Sequence, residues 1–282
     1  MTRPDLPHLR SREASPLKRD VAAPYRSLPP VVKRLASRAL RSHMASAMRP
    51  TSGWRALTYA LLLAAGAMMW HASAHAEAAV TAPAPAVDEP ATGAHTEKAV
   101  LAGGCFWGVQ GVFAHVNGVT RVVSGYSGGS HGSASYERVS EGDTGHAESV
   151  EITFDPTQIS YGRLLQVFFS VVQDPTLRNT QGPDEGTQYR SAIFPVNDAQ
   201  ARVASAYVAQ LGQAHVFHAP IATGVEKFRG FYAAEDYHQD YLTLHPDDPY
   251  IAINDMPKIA ELHKRFPALY RPDPLLTSTA SR

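Results

Sequence analysis

The chain has 282 residues, with 26 Lys/Arg balanced by 26 Asp/Glu and a single cysteine. One cysteine excludes an internal disulfide, and the lack of a CxxC pair or a Cys/His ligand set excludes a structural zinc site. The zero net charge is uneven, because the first 50 residues carry eleven of the Lys/Arg and three of the acids. Such a basic arm suits nucleic acid or an anionic membrane, or it precedes a secretion signal.

The residues after the arm favour the signal. The unbroken apolar run ALTYALLLAAGAMMW (56–70) lies behind Arg49 and Arg55 and leads to Ala74-His75-Ala76, a small-x-small cleavage site before Glu77. The run is too short for a bilayer span, which needs about 20 apolar residues. Residues 1–47 therefore read as a basic leader upstream of a start at Met48, and 48–76 as a signal peptide. This predicts export, periplasmic after cleavage near Ala76, with a membrane anchor or a cytoplasmic location as alternatives. Residues 77–96, rich in Ala, Pro and Thr, read as a linker. The folded unit is expected at 97–271, monomeric, with a flexible tail at 272–282.

Within that unit, KAVLAGG (98–104) is a short apolar strand ending in glycines. CFWGVQGVFAHV then repeats apolar residues at helical spacing (Phe106, Val109, Val112, Phe113, Val116) until Gly118 stops it. GVTRVVSGYSGG gives a second strand entering a glycine-rich loop at 125–135. AESVEITFDP alternates as a third strand, closed by Asp155-Pro156. Ser160 should cap a helix with Leu164, Leu165, Val167, Phe168 and Val171 on its apolar side. A polar loop (173–188) leads to YRSAIFPV as a fourth strand, and Asp198 should cap an alanine-rich helix to Leu211. Ile221 to Val225 reads as a last edge strand, and two short helices fall near AAEDYHQDYLTLH and MPKIAELHKRF. The order βαββαβ predicts an α+β two-layer sandwich with a mixed sheet: a ferredoxin-like split-βαβ core plus C-terminal helices.

Cys105 comes after a strand and Gly-Gly and stands where a helix begins. Unpaired N–H groups and the positive dipole end there favour thiolate, which makes a nucleophile; the bland alternative is a buried, inert thiol. Phe106 and Trp107 are successive, so one ring should pack inward while the other walls a pocket near the thiol. Two ordinary packing aromatics is the other reading. On the third strand, Glu148 shares a face with Val150, Ile152 and Phe154, whereas Ser149, Glu151 and Thr153 face away. A carboxyl on the apolar face would keep its proton near neutrality, the signature of a general acid. It could also be a strand-end glutamate that reaches water or an arginine. His146 suggests either a loop-stabilising hydrogen-bonder or the base of a Cys-His acyl hydrolase. The loop GYSGGSHGS lacks a phosphate-loop lysine, so nucleotide binding is not expected. His238 lacks HExxH spacing, so no metal is expected there, and Tyr237 and Tyr241 read as a packing stripe.

GGCFWG, GYSGG, SYERVSEGDTGHAESVEITFDP, DEGTQYRSAIF and AEDYHQDYL, in this order, resemble the A-type peptide-methionine sulfoxide reductases over about 100–270. The resemblance implies an α+β sandwich without metal or organic cofactor that reduces the S epimer of methionine sulfoxide, free or in proteins, and so repairs oxidised proteins. It implies Cys105 as the nucleophile on the sulfoxide sulfur and Glu148 as the proton donor to its oxygen. Tyr136 and Tyr189 would donate hydroxyl hydrogen bonds to that oxygen. Asp184 would bind the substrate backbone or a structural water, and Phe106 and Trp107 would wall the pocket for the S-methyl group. Methionine leaves and Cys105 remains as a sulfenic acid. A non-catalytic binder of oxidised methionine is the remaining alternative.

The chain departs from the family pattern twice. Ala134-Ser135 stands where many members have Asn-Pro before the tyrosine. YIAINDMPKIAELHKRFP carries none of the recycling cysteines that many members have near the C-terminus. The sulfenic acid therefore requires an external thiol: a thioredoxin- or glutaredoxin-like protein, or glutathione.

Overall fold

The structure, a computed structural model, describes residues 80–90 and 93–277. The leader, the signal segment 48–76 and the last residues of the tail lie outside the described residues. The elements are β1 (Glu97–Gly103), α1 (Phe106–Ala114), β2 (Val119–Ser127), α2 (Tyr136–Val139), β3 (Ala147–Phe154) and α3 (Tyr161–Val167). They continue as β4 (Thr180–Gln181), β5 (Asp184–Glu185), β6 (Ser191–Phe194), α4 (Asp198–Gln213), β7 (Gly224–Val225), β8 (Phe231–Ala233), α5 (Tyr241–Leu244) and α6 (Met256–Arg265).

The main sheet has six strands in the order β7-β6-β1-β3-β2-β8. Its four central strands, β6-β1-β3-β2, pair antiparallel throughout, the arrangement expected of a split βαβ. β7 adds to β6 in parallel and β8 to β2 antiparallel, so the sheet is mixed. β7 is the anticipated edge strand, shortened to its last residues; β8 has no counterpart in the sequence reading. β1 is buried on both sides from Ala99 onward because it is central, which is why it reads as a continuous apolar run. One face packs Leu101, Val150, Ile152 and Phe154 against the apolar side of α1 and the large helical core. The other carries a smaller cluster of Val100, Ala102, Ala147, Ala192 and Phe194, covered by Val196, Phe228 and Phe231.

All of α1 except Trp107 is buried. A helix apolar all round needs cover on both sides: the sheet supplies one, and α5, α6 and the π-turn Ile251–Asp255 supply the other. Ser160 caps α3 as expected, accepting from the Arg163 N–H at 3.2 Å. The helix ends in a π-turn, Phe168–Val172, which keeps Phe168 and Val171 in the core.

Several boundaries differ from expectation. The cap of α4 is Asn197, whose side chain accepts from the Gln200 N–H at 2.8 Å, and Asp198 is the first helical residue. Asn and Asp are equally good caps, so composition could not separate them. AAEDYHQDYLTLH is not one helix. A 3-10 turn at Asp236–His238 and left-handed Asp240 (φ 58°) interrupt it, so Tyr237 and Tyr241 share no face. The expected loose linker is packed over 80–90: Ala82 is fully buried and hydrogen-bonds through N–H and C=O to Ser170 Oγ (3.0 Å) and Gln166 Nε2 (2.8 Å). The expected flexible tail is likewise docked to Thr277, whose N–H donates to Asp240 at 3.0 Å. In both segments polar groups of the domain bind the backbone, and in the tail Leu275 also packs against the core. Among the described residues no helix is long and apolar enough to cross a membrane.

Candidate active site

Cys105 occupies the N-cap position of α1, at the end of central strand β1. Gly104 makes the turn with φ +92°, and a Cβ there would fall 2.6 Å from Gln181. The thiol is 9 % exposed and lines a cleft of about 420 Å³ with Asp184, Tyr250 and Lys258. The cap position is where the sequence reading puts it, but the expected shift is reversed. Burial, then the carboxyls of Glu148 and Asp255, pushes the thiol well above its ordinary range. The Trp107 backbone N–H acts the other way and is outweighed.

Glu148 lies at the start of β3, on the face covered by α1, and is 3 % exposed. Its carboxylate accepts the Phe106 N–H at 3.0 Å. That bond uses one of the unsatisfied amides at the start of α1 and ties Glu148 to the residue after Cys105. Burial is the largest influence on the acid and raises its pKa to about 8; the Phe106 hydrogen bond opposes it, and Asp184 and Asp255 add to the rise. A carboxylic acid is thus protonated beside a neutral thiol at neutrality.

The two rings after the cysteine separate as the strand-to-helix turn predicts. Phe106 is buried against Tyr126 (5.9 Å between centroids) and His238 (5.0 Å). Trp107 is partly buried and stacks on Tyr241, with centroids 3.9 Å apart and planes within 13°. Its indole N–H donates to His238 Nδ1 at 3.2 Å. Burial lowers the His238 pKa to about 4, against the pull of Glu235. The imidazole is therefore neutral and able to accept that bond.

Tyr136 opens α2, and its N–H is held by Glu235 at 3.0 Å. Its ring lies 4.6 Å from that of His238. The second oxygen of Glu235 accepts the Tyr126 hydroxyl at 2.9 Å, so one carboxylate braces both tyrosines. Tyr189 ends the 3-10 turn Thr187–Tyr189 before β6. Burial, then Glu148, Asp184, Cys105 and Tyr136, hold its hydroxyl in the neutral, donating form. Asp184 accepts from the Tyr250 hydroxyl, and burial raises its pKa against that bond and Lys258. The structure therefore brings all seven expected site residues around one region.

Sequence reasoning missed the contribution of residues 235–258. Tyr250 and Asp255 reach the site from the C-terminal segment. Asp255 is fully buried, bonded to Lys258 at 2.9 Å, and its other oxygen has no partner among the described residues. It approaches α1 over Gly108, where a Cβ would fall 2.1 Å from its carboxylate. The glycine in FWG was the available signal: it marks a helix face that something closely approaches. His146 is committed elsewhere. It is buried, accepts the Gly129 N–H at Nδ1 (3.3 Å) and meets Ser130 O at Nε2 (2.9 Å), so it pins the glycine-rich loop. Among the described residues no group of three or more His, Cys, Asp or Glu is placed to hold a metal ion.

The family described as peptide methionine sulfoxide reductase matches residues 97–269. A peptide methionine sulfoxide reductase MsrA 2 of Mesorhizobium japonicum is 58 % identical over 186 residues, covering 66 % of this chain and 95 % of that protein. One of Synechocystis sp. is 53 % identical over 171 residues, covering 61 % of this chain and 80 % of that protein. Among solved structures, Mxr1 from Saccharomyces cerevisiae in its reduced form is similar with a TM-score of 0.51 and 32 % identity, covering 58 % of this chain and 92 % of that one.

Proposed function

This chain belongs to the peptide methionine sulfoxide reductase family, and from that premise we propose how its residues divide the reduction of methionine sulfoxide to methionine. Cys105 attacks the sulfoxide sulfur. As the sulfur–oxygen bond breaks, the oxygen takes one proton from Glu148 and one from the thiol and leaves as water. A water then adds at Cys105 Sγ, the bond from Sγ to the substrate sulfur breaks to free methionine, and a proton returns to Glu148. The hydroxyls of Tyr136 and Tyr189 donate to the same oxygen. Phe106 and Trp107 enclose the S-methyl group, which selects the S epimer, and Asp184 with Tyr250 holds the substrate backbone. The net step converts thiol and sulfoxide into sulfenic acid and thioether. An outside thiol then condenses with the sulfenic acid, water leaves, and a second thiol restores Cys105.

The observation that supports this reading is the Phe106 N–H to Glu148 hydrogen bond, which fixes a protonated acid beside the nucleophile. An acyl hydrolase based on His146 loses its base, because both ring nitrogens of that residue serve the loop. With one cysteine in the chain, the reductant must be a thioredoxin-like, glutaredoxin-like or glutathione thiol from outside. We assign residues 48–76 to an export signal, which puts the repair of oxidised proteins in the periplasm and requires reducing power to be delivered there.

One experiment tests both parts. Mass spectrometry of protein purified from the producing cell, before and after one equivalent of each sulfoxide epimer, should show an N-terminus at Glu77. It should also show one added oxygen on Cys105 with the S epimer alone, and none in Cys105→Ser. Equal oxidation by both epimers, or turnover by Cys105→Ser, would sink the catalytic assignment. An N-terminus upstream of 48 would sink the signal.

A further inference from the structure

The cleft at Cys105 is larger than a methyl sulfoxide group requires. Its volume of about 420 Å³ falls within the roughly 300–1,000 Å³ of pockets that hold a whole small ligand. Asp184, Tyr250 and Lys258 make its polar wall, while Val80, Phe169, Leu177 and Phe217 give it an apolar one. Phe169, buried at the back of this wall, packs as a tilted pair with Phe217, with centroids 6.4 Å apart. The same cleft runs from the thiol to these side chains, so it offers a path for the chain attached to a sulfoxide held at Cys105.

Val80 reaches this wall through the packed N-terminal segment. Ala82 fastens the segment to the π-turn that carries Phe169, by its bonds to Ser170 and Gln166. Tyr207 donates to Pro83 O at 2.6 Å, and Gln210 bonds Ala84 O (2.9 Å) and the Ala86 N–H (2.8 Å), which fastens it to α4. Asp88 accepts the Gly162 N–H at 2.8 Å at the start of α3. The sheet is complete without residues 80–90, and the family match begins at 97. The strap lies outside the family match and the sheet, and its residue Val80 lines the cleft.

We propose that Val80, Phe169, Leu177 and Phe217 form a subsite for an apolar side chain adjacent in sequence to the oxidised methionine. This rests on the sulfoxide reductase reading and names its substrate class: polypeptide segments in which the sulfoxide has apolar neighbours. Methionines sit in apolar cores, and their oxidation loosens that packing and exposes the surrounding apolar sequence. The free amino acid would leave this part of the cleft empty.

The test compares kcat/KM, with dithiothreitol as reductant, for two blocked peptides containing S-sulfoxide flanked on both sides by Leu or by Asp, and for N-acetylmethionine S-sulfoxide. Wild type should favour the Leu peptide by about 10-fold or more, a factor that burial of one apolar side chain supports. Val80→Asp and Leu177→Asp should each bring that ratio near one while leaving the N-acetylmethionine sulfoxide rate within about 2-fold. A wild-type ratio near one, or a ratio that survives in a folded variant, overturns the subsite. If Val80→Asp fails to fold, Leu177→Asp decides. No turnover of any of the three sulfoxides by wild type would instead refute the reductase reading.

Discussion

Glu148 and Glu151 stand three residues apart on β3 and point to opposite faces of the same sheet. Glu148 enters the face covered by α1, where it meets the Phe106 N–H and the influence of two further carboxyls, Asp184 and Asp255. Glu151 lies on the other face and meets Lys98 across the β1–β3 ladder at 2.9 Å, with side chains 54 % (Lys) and 15 % (Glu) exposed. The chemical group is identical. Burial among other acids turns one into an acid that keeps its proton to about pH 8, while the other is an ordinary partner in a surface pair. The comparison separates placement from residue type as the source of function.

The largest break in that contrast is Glu148→Gln. The amide keeps the shape and an oxygen for the Phe106 N–H, but has no proton to release to the sulfoxide oxygen. Its single-turnover rate of sulfoxide reduction should fall about 100-fold or more. In wild type, kcat/KM should decline as pH rises through about 8, where the acid ionises, and that limb should be missing in the variant. An unchanged rate, or an unchanged limb, would remove Glu148 from the acid role.

How much of this was legible in the chain depends on the range of each interaction. The period-two alternation of AESVEITF places Glu148 against the core face, and the strand–Gly-Gly–helix sequence places Cys105 at a helix start. Both depend on neighbours within a few residues. The direction of the Cys105 shift is set first by burial and then by Glu148 and Asp255; the burial and Asp255 come from packing of distant segments, so local reasoning saw the helix end and missed them. Tyr250 carries no motif and is recruited by its hydroxyl bond to Asp184. The strap and the docked tail were misread because their attachments are backbone hydrogen bonds to Gln166, Ser170, Gln210 and Asp240. Such contacts leave no periodicity in the sequence.

A smaller effect concerns stability. Native Glu148 holds its proton to about pH 8, whereas in the unfolded chain it releases it near the ordinary value of 4.5. Between those limits the native state binds more protons, so each rise in pH lowers the stability of wild type. Glutamine does not titrate. In thermal unfolding, Glu148→Gln should therefore have the higher Tm at pH 8, with the gap closing as pH falls toward 4.5. A gap that stays constant with pH would mean that the difference comes from packing rather than from the buried acid.

Glu151→Gln should do least, and that is what gives the comparison its force. The pair with Lys98 is on the solvent side, where screening and the entropy of holding a long lysine side chain leave about 0.2–1 kcal/mol. The main-chain pairing of Val100 with Glu151 is indifferent to the side chain and persists in the variant. Urea unfolding at low salt should show a loss within that range, shrinking as salt is added. The single-turnover rate and its pH limb should match wild type. A rate loss approaching that of Glu148→Gln would show that the two faces of β3 are coupled through the strand, and that burial of Glu148 is not by itself what makes it the acid.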